Sequence, residues 1–237
     1  ARDTLRTLYS LGIKMEPKQF SMGVRIEHPQ DMIDIAQYGQ VHSALGIGPA
    51  DYKLNVRTKD NRGVYTFCMC PGGYVVNASS EKDELCVNGM SLSDRASGYA
   101  NSAIIVQINP NDYGEDVLSG VEFQRTIEKK AYALGEGKIP LMPYSSFSES
   151  NCSECEIDPK FAVKGQFVYA DLREVFPKTI NETFIRGMEH FDSVIKDFAR
   201  VNPLMAGVEA RTSCPIRIER NSNLGRKPYL PDHSFTC

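Results

Sequence analysis

Residues 20–27 alternate without a break: Phe20, Met22, Val24 and Ile26 fall on one side, and Ser21, Gly23, Arg25 and Glu27 on the other. Successive side chains of a strand point to opposite faces, so this segment reads as a half-buried strand, and a strand needs a sheet around it. The most regular helix lies far along the chain. Over 179–199, Ile180, Phe184, Met188, Phe191, Ile195 and Phe198 recur at steps of four and three, and Thr179 with Glu182 has the spacing of a capping box.

Other elements group by kind. Leu5, Leu8 and Tyr9 predict a short helix over 1–11 that stops at Gly12. Pro29 opens a helix with Met32, Ile33 and Ala36 as its stripe and Gly39 as the left-handed residue after it. Strands are expected at 52–58, 64–70, 74–78 and 103–108; the turn formers of 59–63 and 71–73 suggest that the first three form a meander. Phe123, Ile127 and Ala131 place a helix at 121–134 before Gly135. The stretch 138–164 has no clear period and reads as a long surface loop. Strand character returns at 166–172 and at 208–219, broken at Pro215. Strands and helices in separate groups predict an α+β fold: an antiparallel, barrel-like or strongly curved sheet with a packed helical subdomain.

With 41% hydrophobic and 24% charged residues in 237, the chain can bury a core, and a formal net charge of −3 gives no field to hold nucleic acid or an anionic membrane. The longest apolar runs resemble Ala103–Val106, far short of the roughly 20 residues of a membrane span. Seven cysteines, at 68, 70, 86, 152, 155, 214 and 237, are an odd number in a chain too long to need a disulfide scaffold. Together with a start lacking secretory character, they point to reduced thiols and a cytoplasmic location. The Asn-x-Ser/Thr matches at Asn77, Asn151 and Asn181 are then chance. An Ala1 start fits processing or a piece of a longer protein.

Few motifs carry chemistry. Gly46-Ile47-Gly48-Pro49-Ala50-Asp51 resembles a dinucleotide loop, but Asp51 replaces the third glycine and the residues after it alternate like a strand. Cys152-Ser153-Glu154-Cys155 has the spacing of half a zinc site. No second pair follows, and His28, His42, His190 and His233 lack paired ligand spacing, so no metal is expected. Cys68 and Cys70, two apart, should share one strand face and read as small buried residues. Nucleophile-elbow, phosphate-loop and zinc-protease motifs are missing. Cys70-Pro71-Gly72-Gly73 and the segment 209–218, with Arg211, Thr212, Ser213 and Pro215 crowded on a strand, remain as candidate ligand contacts.

The blocks 23–30, 64–73, 87–91, 100–103 and 209–218, with the Ala1-Arg2-Asp3-Thr4 start, together resemble the FAD-dependent dehydrogenases often called NAD(FAD)-utilising dehydrogenases. The resemblance implies the inserted region of a two-part FAD-binding fold. Residues 1–18 lead in as a helix, 19–116 and 165–220 form a β-rich substrate domain, 117–164 and 175–202 a helical subdomain and loop, and 221–237 a divergent tail. It implies FAD, with NAD(P)H as a further cofactor, a small-molecule substrate, and hydride transfer in the complete protein; oligomeric state is left open. Arg211, Thr212, Ser213, Cys70, Gly72 and Gly73 are the residues it brings to the flavin or substrate. Arg25 is a weaker candidate, because Glu27 on the same face is positioned to pair with it. No glycine-rich cradle is evident, so the chain alone is expected to bind FAD weakly or not at all. The alternative is a non-catalytic β-rich module without cofactor.

Overall fold

A computed structural model describes residues 2–40, 46–149 and 161–219; Cys152, Cys155, Cys237, Asn151, His42, His233 and the 221–237 tail lie outside the described residues. The chain starts with α1 (Arg2–Ser10), β1 (Met15–Pro17), β2 (Phe20–Pro29) and α2 (Gln30–Tyr38). Next come β3 (Asn55–Arg57), β4 (Gly63–Cys70), β5 (Gly73–Asn77), β6 (Val87–Ser91) and β7 (Tyr99–Ile108). The short α3 (Pro110–Tyr113) and long α4 (Ser119–Leu134) precede β8 (Ile139–Pro143) and α5 (Tyr144–Glu149). β9 (Val163–Lys164), β10 (Phe167–Tyr169), a 3₁₀ turn (Leu172–Glu174), α6 (Lys178–Val194), β11 (Leu204–Glu209) and β12 (Ile216–Ile218) complete it.

The fold is α+β. A seven-stranded sheet runs in the order β10-β8-β11-β2-β7-β4-β3, antiparallel except for the β10–β8 pair. It is open at β10 and β3, so its curvature does not go on to closure among the described residues. A second sheet, β6-β5-β9, contacts β2, β4, β7 and β11 through β6, and β1 pairs with β12 as a small third sheet. No helix among the described residues is long and apolar enough to cross a membrane.

Register assigns the faces, because cross-strand partners share a side. Met22, Val24 and Ile26 lie with Val106, Ile104 and Met205 on an apolar face. Along α6, Ile180, Phe184, Met188 and Phe191 are buried, and the helix packs on β3, β4 and β7. A Cβ at Gly187 would overlap the Val64 side chain, so the glycine sets this close approach. The other long helix, α4, rests on β8 and β11.

Several expectations need correction. β2 is not half-buried: Arg25 is 0% and Glu27 4% exposed, because the smaller sheet covers the polar face. The meander fails, since β4 pairs with β3 and β7 whereas β5 pairs with β6 and β9. The stretch 138–164 holds β8, a fully buried interior strand. Its two prolines disguise it, because proline is rare inside sheets. β6 was also hidden, as Asn88-Gly89 reads as a turn pair. The capping box does not form: α6 follows Pro177 with no side-chain cap, and the Thr183 hydroxyl donates to the Thr179 carbonyl inside the helix. Finally, Cys68 and Cys70 do not share a face. Phe67 opposes Ala103 and Cys70 opposes Asn101, so two residues of β4 stand against Ser102 alone. This β-bulge breaks the alternation and leaves Cys68 exposed and Cys70 buried.

Candidate functional site

Arg25 sits on the polar face of β2 beneath β6 and is completely buried. Its five N–H donors need acceptors there, because an unsatisfied buried charge is costly. Nε donates to Glu209 Oε2 at 2.6 Å, Nη1 to Asn101 Oδ1 at 2.6 Å, and Nη2 to Asn88 Oδ1 at 3.1 Å. Both Nη1 and Nη2 also donate to the Cys68 carbonyl, each at 3.1 Å. The expected Arg25–Glu27 pair is replaced by Arg25–Glu209: the partner carboxylate comes from the neighbouring strand β11, while Glu27 turns to the Ala162 N–H at 2.7 Å. β6 passes so close that a Cβ at Gly89 would overlap Arg25 Nη1.

The five internal blocks on which the family resemblance rests all contribute to this cage: Arg25 from 23–30, Cys68 and Cys70 from 64–73, Asn88 and Gly89 from 87–91, Asn101 from 100–103, and Glu209 from 209–218. Asn88, Gly89, Asn101 and Glu209 were not singled out as site residues. The available signal was one buried-strand arginine requiring several acceptors; the acceptors themselves lie as far as 184 positions from it and meet only in the sheet.

The cage has a strained outlet. Cys68 has φ +49, the left-handed region that non-glycine residues seldom adopt, and it is exposed. Phe67 beside it and Met90 on β6 are each 43% exposed. Cys70 lies inward, 3.9 Å from Arg25 Nη1. Burial raises its thiol above the ordinary range and the Arg25 charge only partly offsets this, so Cys70 is a poor nucleophile near neutral pH. Among the described residues Cys68, Cys70, Cys86 and Cys214 are free thiols.

Gly72 and Gly73 form the turn after Cys70. Gly72 adopts φ +53, its N–H donates to Gln30 Oε1 at 2.7 Å, and a Cβ there would overlap the Arg95 backbone. A Cβ at Gly73 would press on Met90 O and the Cys70 and Ser91 side chains. Packing within the chain therefore already accounts for both glycines.

Arg211, Thr212 and Ser213 lie elsewhere. Arg211 Nε and Nη2 donate to the two Glu128 carboxylate oxygens at 3.0 and 2.6 Å, and Arg2 reaches the same carboxylate at 2.6 Å. Arg125 joins through Glu84 and Glu81, so three arginines face three glutamates. Burial pushes the Glu128 carboxyl up, but Arg211 and Arg2 outweigh it and hold it below its ordinary value; the Glu128 bond in turn holds the Arg211 guanidinium above its own. The Thr212 hydroxyl donates to Ser21 O at 2.6 Å, and Ser213 Oγ accepts from Ser21 N at 3.2 Å. These residues clip the chain after β11 to the start of β2. Thus Arg25 and Cys70 are brought together, while the Arg211 group is a separate ion network, and each arginine has carboxylate partners.

The described residues do not fit an FAD diphosphate, which wants converging N–H groups at a helix start. In the 46–51 loop the Ala50 N–H is already spent on Asp34 Oδ1 at 2.7 Å. α2 and α6 follow prolines, and Gly120 in the first turn of α4 packs against Pro215. Nor do the described residues contain a group of three or more potential metal-ligating side chains.

Fold and site therefore define an α+β domain with a buried arginine cage. A family model described as FAD-dependent protein, C-terminal domain-like, matches residues 19–212, and the chain belongs to that family. An uncharacterized protein of Clostridium beijerinckii is 41% identical over 230 residues, which make up 94% of this chain and 43% of that protein. The chain thus spans less than half the length of this relative.

Proposed function

We propose that the chain is the substrate-facing module of a flavin-dependent oxidoreductase whose FAD diphosphate is held outside the described residues. When bound, FAD would supply hydride chemistry, with NAD(P)H as reductant. One observation carries this reading: a fully buried guanidinium grips the carbonyl of an exposed, non-glycine residue at φ +49 in mid-strand. Backbone strain of this kind persists only where the surroundings over-determine it, and such strain clusters at functional sites. Cys68, Phe67 and Met90 are then the surface that meets the flavin or a small-molecule substrate, and Arg25 is the positioning residue beneath them. Cys70, Gly72 and Gly73 shape the adjoining turn. Arg211, Thr212 and Ser213 fix the end of β11, away from that surface.

A second reading, a non-catalytic β-rich module, is favoured by the filled space around Gly72 and Gly73. The full-length protein carrying Cys68→Gly separates the two. Glycine keeps the positive φ and removes only the side chain. The oxidoreductase reading expects a changed flavin absorption band and a changed rate of flavin reduction by NADH or NADPH, with unfolding temperature maintained. Unaltered band and rate support the second reading.

A further inference from the structure

Glu27 is 4% exposed, and of its two carboxylate oxygens one accepts from the Ala162 N–H at 2.7 Å while the other has no partner among the described residues. Ala162 is a bridge between the two sheets: its carbonyl accepts from Val75 N at 3.1 Å, and Val163 and Lys164 pair with Val75 and Val76 in β5. The strap 161–164 therefore joins the covering sheet to the main sheet, with the Glu27 carboxyl accepting the Ala162 N–H at the junction. Among the described residues, the groups around that carboxyl do not neutralise it. On β2, Arg25 is committed to Glu209 and Asn101. On β7 the cross-strand neighbour is the uncharged Asn101, whose Nδ2 is also buried without a partner among the described residues. On β4 the same row ends in the neutral Cys70 thiol, on β11 the neighbour is Leu204, and on the strap the Lys164 ammonium lies 3.7 Å over the Tyr74 ring.

We propose that Glu27 is a proton-operated latch: protonated, it lets the 161–164 strap close over the polar face of the sheet, and ionised, it loosens the strap. Burial opposes the charge, and the one Ala162 N–H only partly relieves it, so the carboxyl is pushed up to about 7. Opening the strap returns Glu27 to water and to its ordinary value. The closed form is therefore favoured fully below that ordinary value and progressively lost as pH rises through 7. The latch is independent of the flavin reading.

The test is amide hydrogen exchange of 161–164 in this chain, normalised to intrinsic exchange at each pH. Protection should fall on the order of 10²-fold from pH 5 to pH 8, following the two proton affinities. In Glu27→Gln, which keeps an acceptor oxygen and cannot ionise, protection should not vary with pH. Flat protection in the unsubstituted chain, or the same fall in Glu27→Gln, overturns the proposal. Should that variant not fold, a carbon-13 titration of the Glu27 carboxyl in the unsubstituted chain decides: a midpoint near 7 supports the latch, and an ordinary carboxylate midpoint overturns it.

Discussion

Arg25 and Arg211 are both paired with carboxylates, yet they belong to different kinds of structure. Arg25 is 0% exposed and its donors reach four other strands, whereas the Arg211 side chain is 30% exposed and shares Glu128 with Arg2. The first arrangement has one guanidinium serving a distant carbonyl; the second has several interchangeable partners at a helix flank. A buried hub is therefore expected to fail abruptly and a shared network gradually.

Breaking the hub should produce the largest effect. Arg25→Met leaves Glu209 buried without its cation and releases the Cys68 carbonyl, and removing one member of a buried pair costs about 3–5 kcal/mol. Denaturant unfolding of Arg25→Met, Glu209→Leu and the double variant checks this: the double variant should recover part of the loss, and simple additivity would contradict the hub. On the apolar face, Phe184→Ala should cost about 3–5 kcal/mol as well, because Phe184 is 4% exposed and meets the Phe147 ring edge-on with centroids 5.4 Å apart. A cost near zero would show that α6 does not seal this face.

Much of this architecture was legible beforehand. The strand at 20–27, the helices near 1–11, 29–39 and 121–134, the 179–199 helix as far as Val194, and the α+β class follow from periodicity, which is a local property. The cage was not legible in the same way. Its members are single polar residues on five strands, and the bulge that sends Cys68 outward and Cys70 inward depends on pairing with β7, which no local pattern reveals. Prolines in β8 and the Asn-Gly pair in β6 gave the opposite local signal, and tertiary burial overrode it. Arg211 drew attention because it is surrounded by hydroxyls and a proline, but those groups serve to clip β11 to β2.

Smaller perturbations sharpen the contrast. Arg211→Ala should cost about 1–3 kcal/mol, the scale of a lost charged hydrogen bond, since Glu128 retains Arg2. A loss as large as that of Arg25→Met would erase the distinction between hub and network. The pH profile supplies another check, with two buried groups of opposite sign. His28 is buried and its imidazole is pushed down to about 4, so its contribution is present above its ordinary value and is lost as pH falls through 4. Glu27 acts oppositely, with stability lost as pH rises through 7. Each is worth on the order of 3 kcal/mol. Between pH 5 and 7 the two trends offset, and in Glu27→Gln the His28 trend should emerge as stability that rises with pH. A profile identical to that of the unsubstituted chain would show that Glu27 is not held as described.

In the proposed function the arginine cage presents Cys68 to a flavin held outside the described residues. The most direct measurement is the rate of Cys68 alkylation by iodoacetamide in the full-length protein, with flavin bound and with flavin removed, followed by peptide mass spectrometry. The account predicts that bound flavin slows Cys68 modification at least tenfold while leaving the exposed Cys214 unchanged. Equal rates at Cys68 in the two forms would contradict it.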